Sequence, residues 1–271
     1  MKNLKDIIKI AVFDVDGTIL PNGNTKFSKN IKTMFKKLKE NNIISVLATA
    51  REFATIGDFF EQLKYVDYFI GANGAFIWDV KKQEFLYKST LKKVDVVKLY
   101  DAFGTQIKGF LITDFDKVYK SPQTPTDSWF IRPFQENYLN YEEALLSNSD
   151  LYVITINTDK PYELSQKMEQ FIKDAKMEVE ISSRWSRGFF INPIDITKST
   201  TLKKLTKHLG YSMDNVIAFG DSANDFEMLR DVYYGVAMER ASDKIKTVAS
   251  DIAADCEFDG AYLKLKELHL I

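Results

Sequence analysis

In the stretch KIAVFDVDGTIL, Lys9 to Leu20, two acids stand one residue apart where an apolar run ends, and Gly17 and Thr18 follow at once. While such a strand lasts, period-two geometry points Asp14 and Asp16 the same way, and two close carboxylates repel unless a cation or shared proton relieves them. The stretch AFGDSANDFEML repeats the arrangement, with Asp221 and Asp225 after an apolar run and Asn224 between them. Magnesium prefers oxygen ligands and is commonly held by one or two carboxylates plus a substrate phosphate. Asp14 and Asp221, with the backbone carbonyl of Asp16, suit it. Ser222-x-x-Asp225 is also a capping-box pattern, so Asp225 is expected to open a helix and brace the site. Thr49, with the amide of Ala50 and with Arg51, ends another apolar run, where a hydroxyl and helix-start amides can hold an anionic oxygen. Lys198 lies near the start of an amphipathic helix pattern, where a bare positive charge opposes the helix dipole. Contact with a phosphate and a nucleophile's carboxylate would explain it. Solvated loop acids and a solvent-facing lysine remain the plain alternatives from these residues alone.

The elements that must position these groups are legible around them. After the opening strand, Ser28 can cap a helix carrying Ile31, Phe35 and Leu38 on one face. The run IISVLATAR follows, then a second helix pattern at Phe53, Ile56, Phe60 and Leu63. Strands that read as continuous apolar runs, separated by helices, call for a parallel sheet covered on both faces, with ligands beyond the strands' carboxyl ends. In VDYFIGANGAFIWD, Asn73-Gly74 signals a turn between two short strands. From about Lys81 the texture changes to short alternating strands and two amphipathic segments, VDVVKLYDAFGTQI and YELSQKMEQFI. Between them SPQTPTDSWFIRPFQEN holds three of the six prolines and reads as a loop or irregular edge. The first texture returns at GFFINPIDITKS. The expected fold is α/β: a doubly wound parallel-sheet core from 1–80 and 189–271, with an α+β domain inserted at 81–188.

Bulk properties exclude several classes. Thirty-seven basic residues against 38 acidic leave a net charge of -1, so no global field attracts nucleic acid or an anionic membrane. One cysteine and two histidines cannot supply an ordinary four-ligand zinc site, and Cys256 has no disulfide partner within the chain. Charges at Lys5, Asp6 and Lys9 break the apolar core that a signal peptide needs, and no apolar run could span a bilayer. A cytoplasmic setting is expected.

Four motifs in order, DVDGT at Asp14 to Thr18, Thr49 in LATAR, Lys198 in DITKS and GDSAND at Gly220 to Asp225, resemble those of haloacid dehalogenase superfamily phosphatases. The turn GANGA, Gly71 to Ala75, is similar to that of the Cof-type branch, which carries a large α/β cap after the second motif. The resemblance spans the whole chain. It implies a Rossmann-like core and magnesium-dependent hydrolysis of a small phosphorylated metabolite, a sugar phosphate or a relative of one. Asp14 would attack phosphorus to form an aspartyl-phosphate, while Asp16 protonates the leaving oxygen and then activates water. Magnesium would be bound by Asp14, Asp16 and Asp221, with Asp225 behind them. Thr49, Ala50, Arg51, Lys198 and Asn224 would hold the phosphoryl oxygens. The resemblance also implies an acid two residues after the nucleophile in phosphatases and phosphomutases, against threonine in the ion-pumping ATPases.

Ala50 and Ser199 depart from the glycines usual in relatives, and Phe190 stands where many have an acid. In the inserted unit Trp129, Arg132, Arg184, Trp185 and Arg187 are the candidates for substrate contact, since large aromatics and arginines are unusual loop filler. The rival functions are a phosphomutase and a non-catalytic sensor of a phosphorylated ligand. His208 reads as a helix-end cation, His269 as solvated, Cys256 as an ordinary buried residue, and Phe59, Phe60, Phe226 and Tyr262 as core or helix-face aromatics.

Overall fold

A computed structural model describes residues 4–271. The chain forms two compact units: residues up to Ala50, Asp58–Tyr87 and Lys198 onward make the first, and Arg51–Gly57 with Lys88–Thr197 the second. In chain order the first unit supplies β1 (Ile10–Phe13), β2 (Ile44–Ala48), β3 (Tyr68–Gly71), β4 (Phe76–Asp79) and most of β5 (Glu84–Lys88). The second supplies β6 (Gly109–Asp114), β7 (Lys117–Lys120), β8 (Tyr138–Asn140), β9 (Leu151–Asn157), β10 (Val179–Trp185) and β11 (Gly188–Pro193). The first resumes with β12 (Val216–Gly220), β13 (Tyr234–Met238) and β14 (Asp251–Ala253).

The first unit's sheet runs β14-β13-β12-β1-β2-β3-β4-β5, parallel from β14 to β3, with β4 antiparallel to β3. Every residue of β1 is buried because both of its faces are covered. On one face Ile10 and Val12 join Leu202 and Leu205 of the helix Lys198–His208. On the other Phe13 packs between Phe35 of the helix Lys29–Glu40 and the ring of Phe219. The Lys29–Glu40 helix starts as the sequence predicts, with the Ser28 hydroxyl accepting from the Ile31 N–H at 3.0 Å. Strand order reverses at β1, whose neighbours β2 and β12 lie far apart in sequence. The crevice beyond their carboxyl ends is where such a sheet binds ligands. Asp14, Thr49 and Asp221 are the residues that immediately follow these three strands.

The helix pattern at Phe53 to Leu63 folds as two short pieces, Phe53–Ile56 and Phe59–Gln62. Gly57 breaks it: φ is +53° there, and a Cβ would come within 2.8 Å of the Phe134 ring. The first piece belongs to the second unit, where Ala54 joins Leu111, Val118, Ile131 and Phe134 in a small core.

The second unit is a six-stranded sheet ordered β10-β11-β9-β6-β7-β8, antiparallel except for β7 with β8. The helices Lys93–Phe103 and Pro161–Asp174 bury Leu99, Met168 and Ile172 with Phe110, Ile154 and Phe189. Two boundaries differ from those expected. Residues 81–87 lie in the first unit, because β5 pairs with β4. GFFINP, which shares the apolar texture of the core strands, lies in the second as β11, between β9 and β10. An inner strand of either sheet is buried, so hydrophobicity alone could not assign it.

Candidate active site

The loops after β1 and β12 bring Asp14, Asp221 and Asp225 together, each offering an oxygen within 4.8 Å of the others. Asp14 is held at the strand end by its N–H, which donates to the Phe219 carbonyl at 3.0 Å. Lys198, the first residue of its helix and fully buried, donates from Nζ to Asp14 Oδ1 and to Asp225 Oδ1, both at 2.7 Å. Two carboxylates thus answer the question of why a helix would begin with a buried cation. Thr18 Oγ1 lies 3.2 Å from Asp221 Oδ1 and 3.4 Å from Asp14 Oδ2, tying the first motif to the fourth. Gly17 makes that approach possible, since its φ is +81° and a Cβ would sit 2.6 Å from Asp221 Oδ2.

Asp225 is engaged on both oxygens. Oδ1 takes Lys198, and Oδ2 accepts from the N–H groups of Asp221 (3.1 Å) and Ser222 (3.0 Å), completing the capping box that the sequence predicts. Asp16 is partly buried and bridges backbone to backbone with Leu20. Its carboxylate is not among the three that converge.

Three carboxylates near one ammonium leave excess negative charge in a largely buried site. Burial pushes the Asp14 carboxyl well above its usual range; Lys198 counters this, while Asp225 and Asp221 add to it. Burial and then Asp225 raise Asp221 to about 7. Burial alone would lower the Lys198 ammonium, but Asp14 and Asp225 outweigh it and push it above its ordinary value. Such a cluster demands another positive charge, and its donors are hard oxygens. A divalent cation of the magnesium type fits this set, with Asp14 and Asp221 the carboxylates best able to ligate it.

Other expected site residues fall into three groups. Thr49 is buried directly after β2, its N–H donating to the Ile70 carbonyl at 3.0 Å and its own carbonyl accepting from the Asn73 N–H at 3.0 Å; Ala50, partly buried, follows. Asn224 donates from Nδ2 to Asn73 Oδ1 at 3.1 Å. Arg51, grouped in sequence with the phosphate-holding residues, is instead drawn into the second unit. Its Nη1 donates to the Thr55 carbonyl at 2.6 Å, and the guanidinium lies 4.8 and 5.5 Å from the ring centroids of Phe130 and Phe134. Beside it Glu52, raised to about 7 by burial, caps the same short helix through Thr55.

Among the candidates for substrate contact, Arg184 is engaged within its unit by Ser165 (2.7 Å) and Glu169, and Trp185 packs on Phe190 with centroids 4.6 Å apart. Both side chains are thus engaged within the second unit. Trp129, 41% exposed, and the exposed Arg132 and Arg187 keep their side chains at the surface. Sequence reasoning missed the reach of Thr18 to both loops and the part played by Asn73. The first was visible only as a motif letter, the second only as a turn signal.

Residues 11–265 match the haloacid dehalogenase-like hydrolase family. The chain is 27% identical over 245 residues to a Bacillus subtilis 5-amino-6-(5-phospho-D-ribitylamino)uracil phosphatase, covering 90% of this chain and 89% of that one. It is 24% identical over 258 residues to the pyridoxal phosphate phosphatase of Escherichia coli, covering 91% and 93%. Among solved structures it is similar to a sugar phosphatase of haloacid dehalogenase subclass IIB, with TM-score 0.80 and 20% identity over 97% of this chain and 100% of that one. It is also similar to a haloacid dehalogenase-like hydrolase from Bacteroides thetaiotaomicron, with TM-score 0.82 and 21% identity over 96% and 99%.

Proposed function

The chain belongs to the haloacid dehalogenase-like hydrolases and is a phosphatase, and on that premise we propose that it hydrolyses a small phosphomonoester by magnesium-dependent transfer to Asp14. The observation that carries this reading is the convergence of Asp14, Asp221 and Asp225, with a fully buried lysine bonded to Asp14 and Asp225. Asp14 and Asp221, with the Asp16 carbonyl, would hold the cation. When bound, it would offset the charge shared by an anionic nucleophile and an anionic substrate.

The side chains divide the remaining work. Lys198 favours the ionised form of Asp14 against the effect of burial and holds its Oδ1, leaving the other oxygen oriented to attack phosphorus. The bond formed is Asp14 oxygen to phosphorus, and the bond broken is phosphorus to the ester oxygen. Asp16 gives its proton to that leaving oxygen, then removes one from the water that cleaves the acyl phosphate. Thr49, the Ala50 amide and Asn224 hold the phosphoryl oxygens, with Lys198 supplying positive charge beside them. Asp225 orients Lys198 and the Asp221 loop. The substrate class we assign is a sugar phosphate or related metabolite, in keeping with relatives named for phosphoribityl, pyridoxal and sugar phosphates. Choice among such esters is assigned to side chains that the second unit exposes, Trp129, Arg132 and Arg187.

The test is phosphate release across a panel of sugar phosphates, pyridoxal phosphate and phosphoribityl compounds, with magnesium and with excess EDTA. Magnesium-dependent release from at least one ester, absent in Asp14→Asn, is expected. Release that persists in chelator would remove the metal assignment, and release by Asp14→Asn would remove the nucleophile. A phosphomutase would instead return an isomerised sugar phosphate without free phosphate.

A further inference from the structure

The turn between β3 and β4 has no task in the chemistry above, yet two of its residues touch three segments of the site. Asn73 is 2% exposed, with φ +61°. Its N–H donates to the Thr49 carbonyl at 3.0 Å, and its Oδ1 accepts from Asn224 Nδ2 at 3.1 Å. The next residue, Gly74, accepts at its carbonyl from Thr201 Oγ1 at 2.6 Å, three residues into the helix that Lys198 begins. Asparagine enters the left-handed region more readily than other non-glycine residues, so Asn73 can hold this turn and still carry a side chain. A turn at the surface would need neither the burial nor the partner on a distant loop.

We infer that Asn73 is a positioning residue for phosphoryl binding, acting through Asn224. An asparagine amide has two N–H donors in one plane. When Asn73 Oδ1 takes one hydrogen of Asn224, it fixes that plane and leaves the second as a pre-oriented donor for a phosphoryl oxygen. Without Asn73 the Asn224 amide would rotate among rotamers and present that donor only part of the time. The same turn braces Thr49 through backbone and the Lys198 helix through Thr201, so the side chain of Asn73 adds to a site whose frame survives its removal. The inference rests on the reading of Asn224 as a phosphoryl contact.

The experiment is a double-mutant cycle on the magnesium-loaded full chain, with p-nitrophenyl phosphate as substrate and inorganic phosphate as competitive inhibitor. Asn73→Gly keeps the positive φ and removes the acceptor; Asn224→Ala removes the donor. Each should raise the inhibition constant of phosphate and KM about tenfold, in line with a charge-assisted hydrogen bond, while kcat falls less. The double variant should bind phosphate within about twofold of Asn224→Ala, because the Asn73 side chain has nothing left to orient. A merely structural Asn73 would lower the melting temperature and leave the phosphate constant unchanged, or would multiply with Asn224→Ala; either result overturns the inference. If Asn224→Ala alone leaves the phosphate constant unchanged, the assignment of Asn224 fails, a result separable from failure of Asn73. Should Asn73→Gly lose its circular dichroism, Asn73→Ser, too short to reach Asn224 Nδ2, goes through the same cycle.

Discussion

Two charged clusters meet the helix Lys198–His208, and they are balanced in opposite ways. At its first residue, Lys198, one ammonium is shared by Asp14 and Asp225, with Asp221 beside them. One residue on, Ser199 donates to Asp231 at 2.7 Å, and Asp231 also takes Lys203 at 3.0 Å and Arg230 at 2.8 Å. Burial alone would raise the Asp231 carboxyl, but bonds from Arg230, Ser199 and Lys203 outweigh it and hold it at about 2. Asp221 is pushed to about 7 by burial and Asp225. Residue types and helix are shared, so the difference lies in completeness. The Asp231 cluster satisfies its charge within the chain, whereas the Asp14 cluster gathers three carboxylates around a single lysine, as the proposed cation and chemistry require.

The largest effect expected is on turnover. Asp14→Asn should lose about 1,000-fold or more of phosphate release, because it removes the proposed nucleophile while keeping the shape. Its metal-free stability should equal or exceed that of the parent, since one of three crowded carboxylates loses its charge. A drop in denaturant midpoint would mean that Asp14 is structural, like Asp231. Next comes Lys198→Met, which leaves Asp14 and Asp225 buried without their cation. Unfolding in EDTA should show a loss of about 3–5 kcal/mol, the cost typical of breaking a buried pair from one side. Unchanged stability would show that the acids are protonated or hydrated there, and the contrast would lose its basis.

What made the first cluster readable was punctuation: acids placed directly after apolar runs, at Asp14 and Asp221, and a lysine at a helix start where dipole electrostatics disfavour it. Those signals survive a separation of 184 residues between Asp14 and Lys198 because each is local. Arg51 was not readable in this way, since its direction depends on Phe130 and Phe134, about eighty positions on, whose rings the guanidinium faces. Nor was β11, because GFFINP would be equally apolar in the middle of either sheet. The doubly wound order itself followed from the alternation of apolar runs and amphipathic helices, and the structure carries it out around β1.

A smaller effect is expected at the balanced cluster. Asp231→Asn should cost about 1 kcal/mol or less, seen as a fall of roughly 2–4 °C in melting temperature, with kcat/KM nearly unchanged. The sign with pH follows from the lowered carboxyl. Its contribution is present above the unfolded value of about 3.9 and is lost as pH falls toward about 2, so parent and variant should converge in acid. A difference that widened in acid would contradict the assignment. The smallest effect belongs to Arg184→Ala in the second unit. Its guanidinium is engaged by Ser165 and Glu169, so kcat/KM should change less than about threefold for every ester tested. A large, substrate-dependent change would restore Arg184 as a recognition residue.

The most direct test of the central claim, that the Asp14 cluster is completed by a divalent cation, is thermal unfolding of metal-stripped protein near pH 7.5 as magnesium is added. At that pH Asp221, raised to about 7 without a cation, carries its full cost of ionisation in the folded state. The account predicts a rise of about 4 °C or more once magnesium exceeds its dissociation constant about 100-fold, and little or none in Asp221→Asn. No shift in the parent, or an equal shift in Asp221→Asn, would contradict it.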